Sequence, residues 1–352
     1  MTVSPFDHPL LSGLLGDDEI APQFSLEAEI EEMNYFEDAL ARAEAAEGLI
    51  PEAAAEAISI GCMAFEPEHE AVRVAAARDG VIVPEYVRQL RERIGPPHAQ
   101  YLHFGATSQD LVDTSLILRL RPVLTEFQER LQRLAAALDD VDHRFGSNPL
   151  MGRTRMQAAV PITVGDRLAA WRGALPRHIE RLDALAPRLL VLQFGGAAGT
   201  LDKLGDKAAA VARRLGEGLD LPVPDRSWHS QRDNLPEFAD WLALVSGSLG
   251  KIGIDAALMA QNGEIELSGG GTSSAMPHKS NPVGAEVLVA LARYNAVLVS
   301  GMHQAQVHEQ ERSGTAWTLE WLTLPQMVIA TAAGLRTALR LITSIDRIGE
   351  PG

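Results

Sequence analysis

The stretch LRPVLTEFQERLQRLAAALDDV, Leu120 to Val141, has apolar residues at 120, 124, 127, 131, 134, 138 and 141, a 4-3-4-3-4-3 spacing. Residues three and four apart share one face of an α-helix, and sustained alternation of the two is the repeat of helices packed at shallow angles. The same spacing recurs at Phe238, Leu242, Val245, Leu249, Ile252, Ala256 and Met259. A third run, Leu288, Leu291, Asn295, Leu298, Met302 and Ala305, alternates 3 and 4. Each run spans roughly 30 Å at about 1.5 Å per residue, which predicts seams long enough to bury against other subunits as well as within the chain. The fold class is all-α, a long-helix bundle.

Outward from these runs the pattern changes. Residues 1–100 carry shorter helical stretches broken at Pro67 and Pro96-Pro97 and read as a small helical N-terminal domain, with the central bundle over 101–352. Val81-Ile82-Val83 is the one strand-like scrap, too short for a sheet. The helices are separated by Gly- and Pro-containing breaks at 147–161, 193–200, 221–236 and 269–282. No repeat or low-complexity tail stands out.

Composition narrows the function. Hydrophobic residues make up 46% and aromatics only 5% of the chain, a helical rather than sandwich-like mix. A formal net charge of −16 argues against a nucleic-acid partner, which needs clustered Lys and Arg. The single cysteine, Cys62, excludes an internal disulfide and a Cys-based zinc cluster, and its apolar setting reads as a small buried hydrophobe. The N-terminus has no basic region followed by an apolar one, so no secretory signal is read there. No run of about 18 apolar residues lacks a charge, so no membrane span is expected. A cytoplasmic location follows as an expectation. The ten histidines form no HxxxH or HxH pair, so a metal site is unsupported and no cofactor is expected.

Three polar segments lie outside the seams. HFGATSQD, His103 to Asp110, precedes a helix. Thr107 or Ser108 there can cap free amides, and the same geometry makes an anion site to which His103 adds a donor. MGRTRMQ, Met151 to Gln157, sets Arg153 and Arg155 around Thr154. It reads either as a solvated turn or as a carboxylate clamp, since guanidinium forks bind carboxylates bidentately. In HEQERSGTAW, His308 to Trp317, Arg312 is either a surface ion-pair partner of Glu309 or Glu311 or a further anion ligand.

A fourth segment, GGGTSSAMPHKSNP, Gly269 to Pro282, is harder to read as plain loop. It is not a phosphate-binding P-loop, because no Gly precedes Lys279, and QFGGAAGT at 193–200 likewise fails the GxGxxG pattern. Its glycines suit a mobile lid. A Ser273 or Ser274 hydroxyl acting as base needs its alkoxide stabilised, and His278, Lys279 and loop amides could do that.

This last segment resembles the signature loop of the fumarase/aspartase superfamily, roughly GSSxMPxKxNP, matching at Ser273, Ser274, Met276, Pro277, Lys279, Asn281 and Pro282. HFGATSQD is similar to the superfamily's TSxD region and MGRTRMQ to its GRTH region, in the expected order, and the resemblance covers most of residues 10–345. HFGATSQDLVDT, LQFGGAAGT and HEQERSGTAWTLEW look most like its cycloisomerase branch. The resemblance implies a homotetramer around a shared helical core, with each active site built from three subunits. It implies intramolecular addition of a carboxylate to an alkene, closing a lactone, on a small tricarboxylate substrate, within aromatic-compound catabolism. Ser273, first of the pair, falls on the catalytic base, which is the acid in lactone formation; Lys279 and Asn281 match substrate-carboxylate ligands, and Glu286 matches a Glu that orients a catalytic partner. Substrate contacts are expected from His103, Thr107, Ser108, Arg153, Thr154, Arg155, Gln157, Met276, His278, Asn281 and Arg312.

The departures carry information. Arg155 stands where the superfamily's elimination enzymes place a His, removing the usual acid. A carboxylate leaving group needs no such acid, so the cycloisomerase reading is favoured. The alternative is a lyase releasing fumarate from a succinyl adduct of the adenylosuccinate or argininosuccinate type, with His103 or His278 as acid; another is a catalytically silent scaffold. Thr272 replaces a Gly before the serine pair and Ser280 a frequent Arg. The small C-terminal helical domain of longer relatives is expected to be missing.

Overall fold

The structure is a computed structural model describing residues 4–272 and 280–350. Short helix α1 (Ser12–Leu15) leads into α2 (Leu26–Ala46), α3 (Glu52–Cys62), α4 (His69–Asp79) and α5 (Val83–Ile94). The 38-residue α6 (Ser108–Phe145) then runs the length of the molecule. A hairpin of β1 (Pro149–Thr154) and β2 (Gln157–Thr163) follows, then α7 (Val164–Arg172), α8 (Leu175–Leu189) and α9 (Ala208–Leu219). The long helices α10 (Asn234–Gln261), α11 (Val283–Ala305) and α12 (Gly314–Thr343) complete the bundle. Between and after them lie β3 (Ile265–Leu267), β4 (Gly271–Thr272), β5 (Ser280–Asn281) and β6 (Ile345–Ile348).

The heptad runs land where their spacing put them. All seven apolar residues of the 120–141 run and all seven of the 238–259 run are buried. In α11, Leu288, Leu291, Asn295, Met302 and Ala305 are buried and Leu298 is partly so. Asn295 is the polar member of that seam. Its Nδ2 donates to Ser246 Oγ at 2.7 Å and Thr331 Oγ1 at 2.9 Å, fixing the register of α11 between α10 and α12. The α10–α11 contact is close because residue 253 is glycine: a Cβ there would sit 2.6 Å from the Ala285 carbonyl oxygen. Arg130, 5% exposed, ties α6 to the N-terminal segment through Asp17 at 2.6 Å and to α12 through the Ala332 carbonyl at 3.1 Å. Cys62 is buried, and burial pushes its thiol well above the usual range.

One reading holds and one is corrected. Val81 and Ile82 lie in a turn and Val83 opens α5, where Pro84 suits a first helical turn, so that scrap is not a strand. The segment at 147–161, read as a break, instead forms most of the β1–β2 hairpin, with Thr154 opposite Gln157 and Pro149 opposite Thr163. Its two turn residues, Arg155 and Met156, both have left-handed φ, +49° and +66°. That geometry is the usual one for a two-residue hairpin turn, but Asn and Gly normally occupy it, so Arg-Met carries no turn signal.

By length and apolarity alone α10 and α11 would each suffice to cross a membrane; here they pack on one another, with 50% and 28% of their most apolar windows buried within the chain.

Candidate active site

The residues singled out in the sequence fall at two ends of the bundle. At the first, which we call the capped end, α6 begins and α12 begins. Asp110, fully buried at the third position of α6, organises this end. Its carboxylate accepts from the amides of Thr107 (3.0 Å), Gly195 (2.8 Å) and Gly196 (2.9 Å), and lies within hydrogen-bond distance, 2.8 Å, of His229 Nε2. One carboxylate thereby joins HFGATSQD to the glycines of QFGGAAGT and to the 221–236 segment. Gly196 is required there by its left-handed φ of +65°. The glycines therefore serve a carboxylate of the protein.

Thr107 caps α6, and its Oγ1 accepts from Arg312 Nη1 at 2.6 Å across 205 residues of sequence. Ser108, the first residue of α6, is partly buried beside it. Arg312 is exposed and reaches this point from the α11–α12 loop, so the structure joins two of the predicted segments and gives Arg312 a partner other than Glu309 or Glu311. His103 holds a left-handed φ of +60°, and its Nδ1 lies 2.5 Å from Glu37 Oε1.

Beneath this end sits a buried ionic floor that the sequence reading missed. Arg232, fully buried, donates to Asp113 (Nη2 to Oδ1, 3.2 Å) and to Glu320 (Nε to Oε1, 2.9 Å) and lies 4.6 Å over the Trp228 ring. Trp317 Nε1 donates to Asp113 Oδ1 at 3.0 Å. Burial pushes the Asp113 carboxyl up, only partly offset by Arg232. Burial also works against charge on Arg232 and Glu320, but their partners outweigh it: Arg232 is held above its ordinary range by the two carboxylates, and Glu320 below its own by His308 and Arg232. The His308 side chain is wholly buried, with Nε2 3.6 Å from Glu320 Oε1. The available signal was a charge within an apolar run, Asp113 in LVDTSLI and Glu320 in TLEWLT.

The opposite, hairpin end gathers the C-termini of α6, α10 and α12 and the N-terminus of α11. Asn148 Nδ2 donates to the Ile348 carbonyl at 2.9 Å, and β3 pairs with β6, so the hairpin base and the root of the 269–282 segment are neighbours. Arg153 pairs with Glu264 at 2.7 Å. Thr154 and Gln157 face each other at the hairpin neck, and Arg155 stands exposed at its tip. Asn281 pairs with Gly271 between β5 and β4. Glu286 is exposed in the first turn of α11, where the helix dipole favours an acid. A cavity of about 340 Å³ lies under this root, walled in part by Arg336 and Arg340. Ser273, Ser274, Met276, His278 and Lys279 lie outside the described residues.

The two ends do not meet within one chain. The 38 residues of α6 alone put roughly 57 Å between Thr107 and the start of the hairpin region, and the 23 residues of α11 put about 35 Å between Asn281 and the loop carrying Arg312.

Long parallel and antiparallel helices with polar clusters at their ends define a class. A family model described as lyase matches residues 17–295, and the chain belongs to that family, within the fumarase/aspartase superfamily. More particularly, it is 44% identical over 333 residues to a 3-carboxy-cis,cis-muconate cycloisomerase of Pseudomonas aeruginosa, covering 92% of this chain and 72% of that protein. The structure of 3-carboxy-cis,cis-muconate lactonizing enzyme from Pseudomonas putida superposes with a TM-score of 0.90 at 42% identity, over 96% of this chain and 77% of that one. An N-acetyl-S-(2-succino)cysteine lyase of Enterococcus italicus is 33% identical over 330 residues, 91% of this chain and 71% of that protein.

Proposed function

We propose that the protein is a cycloisomerase interconverting 3-carboxy-cis,cis-muconate and 4-carboxymuconolactone, in the protocatechuate branch of the β-ketoadipate pathway. The observation that carries this is its 44% identity to such an enzyme across 92% of the chain. Arg155 at the hairpin tip supports it, because a guanidinium there binds a carboxylate but does not act as the proton donor that a poor leaving group needs.

In lactone formation a substrate carboxylate oxygen adds to the β-carbon of a conjugated alkene. The π pair moves toward the α-carbon and its carboxylate, giving an enolate dianion, and the α-carbon then takes a proton. In this reading Ser273 gives that proton, and in the reverse direction takes it; Ser274 stands beside it. In the same reading Lys279, His278, Asn281 and the loop amides balance the dianion's charge as it develops. Met276 belongs to the same lid, and Glu286 orients a catalytic partner. Arg312, Thr107, Ser108 and His103 hold one carboxylate, and Arg153, Arg155, Thr154 and Gln157 another. No metal or organic cofactor is needed for this addition.

A homotetramer with sites shared between subunits is part of the proposal, as is a cytoplasmic location. The length of α6 supports shared sites, since the two sets of carboxylate ligands cannot converge inside one chain. The long helices also keep large apolar side chains at the surface, Leu244 at 51%, Val297 at 69% and Leu322 at 62% exposure, as faces awaiting other copies would.

The test is ultraviolet absorbance with purified protein and 3-carboxy-cis,cis-muconate. Loss of the conjugated-diene band, abolished in Ser273→Ala, is expected. An unchanged band, with fumarate released from argininosuccinate or adenylosuccinate instead, would overturn the reading.

A further inference from the structure

The Glu37–His103 contact joins residues 66 apart in sequence, and the two ends of the contact are unequal. The Glu37 side chain is fully buried. Its Oε1 meets His103 Nδ1, while its Oε2 is buried with no hydrogen-bond partner among the described residues. A buried carboxylate with one partner is costly unless that partner supplies a proton. The other titratable groups around Glu37 do not help. Burial, then the charge of Glu37, pushes Glu44 up to about 9, so Glu44 is protonated at neutral pH and brings no counter-charge to Glu37. Burial and Glu37 likewise push Cys62 and Tyr86 upward, leaving both neutral. Compensation for Glu37 therefore falls to His103.

We propose that Glu37 is a positioning residue that holds His103 with its proton on Nδ1, so that Nε2 is the ring atom offered to a substrate carboxylate, as an N–H donor once the ring is doubly protonated. A His ring hydrogen-bonded through one nitrogen presents the other in a defined state. His103 sits four residues before Thr107, the Arg312 partner, so its Nε2 adds a charge-assisted donor to that anion-binding end. No proton is consumed: it is shared along Nδ1–H···Oε1, and the substrate is bound, not cleaved, by this contact. The substrate half of the inference rests on the cycloisomerase reading.

The experiment compares wild type, Glu37→Met, Glu37→Gln and His103→Gln by ¹⁵N-histidine NMR, with His103 assigned by its loss in His103→Gln, and by steady-state kinetics on 3-carboxy-cis,cis-muconate. Wild type is expected to show a protonated Nδ1. Glu37→Met should lose that preference and raise KM about tenfold with little change in kcat, the worth of one charge-assisted bond. Glu37→Gln has the same shape and keeps an accepting oxygen, so it should retain the tautomer and lose only the charge, with a smaller rise in KM. The double variant Glu37→Met/His103→Gln should be no worse than His103→Gln alone. An unchanged His103 signal in Glu37→Met, or losses that simply add, would overturn the proposal. If wild type does not turn over the muconate, the cycloisomerase reading fails on its own, and the ring-nitrogen signals still decide whether Glu37 sets His103.

Discussion

The two ends of the bundle are built on opposite plans. At the capped end the central charged groups are tied: Asp110 is met by three amides and His229, Arg232 is locked between Asp113 and Glu320, and Arg312 is held on Thr107. At the hairpin end the chain is exposed from Arg153 to Pro161 and turns through two residues in left-handed conformation that are not glycine. Strain of this sort persists where the surrounding structure or a function requires the side chain at that place. The contrast separates an end built around buried, paired charges from one built around an exposed arm. A buried ionic floor fixes one end, and an extended arm and a glycine-rich root make up the other.

The comparison can be broken most sharply at Arg232. Replacing it by Met leaves Asp113 and Glu320 buried without their cation, and thermal or urea unfolding should show a loss of about 3–5 kcal/mol. If the floor is dispensable, the loss will be that of an ordinary surface change. Arg155→Ala should do the reverse, lowering kcat/KM at least about tenfold while leaving the melting midpoint nearly unmoved. A large loss of stability there would mean the hairpin is structural. Smaller is the effect of Glu44, whose folded-state pKa lies above its unfolded value. The folded chain holds a proton that the unfolded chain has released, so stability is fully present below the unfolded pKa and falls as pH rises toward about 9. Glu44→Gln should flatten that fall, by at most about 1.4 kcal/mol per pH unit, measured as midpoints at several pH values. Least of all, Met156→Gly removes a left-handed side chain at an exposed tip but adds backbone freedom to the unfolded chain, and should stabilise by about 0.5 kcal/mol.

The bundle was legible because its information is periodic: the 120–141 and 238–259 runs name their own buried faces residue by residue. The motifs were legible as local chemistry, and Thr107 with Arg312 came together as anion-site candidates. The 120–141 run already sets roughly 30 Å of helix between two of these segments, but the full extent of that helix lay outside the motifs themselves. Nothing in HFGATSQD or MGRTRMQ says that a 38-residue helix separates them. The hairpin was read as a break because Arg-Met is not a turn pair, and its left-handed backbone is held by strand pairing on either side. Asp113 and Glu320 escaped notice because each is a lone charge in a helical run, and Glu37 because it is one acid among many on α2; only folding reveals that Arg232 or His103 lies opposite.

The central claim, that a working site needs the capped end of one copy and the hairpin end of another, has a direct test. Ser273→Ala and Arg312→Ala variants, each inactive alone on 3-carboxy-cis,cis-muconate, are mixed, partially unfolded and refolded together to exchange subunits. Shared sites predict that the mixture regains activity absent from both parents, because some sites then combine an intact end from each. A mixture that demonstrably exchanges subunits and stays inactive would contradict the account.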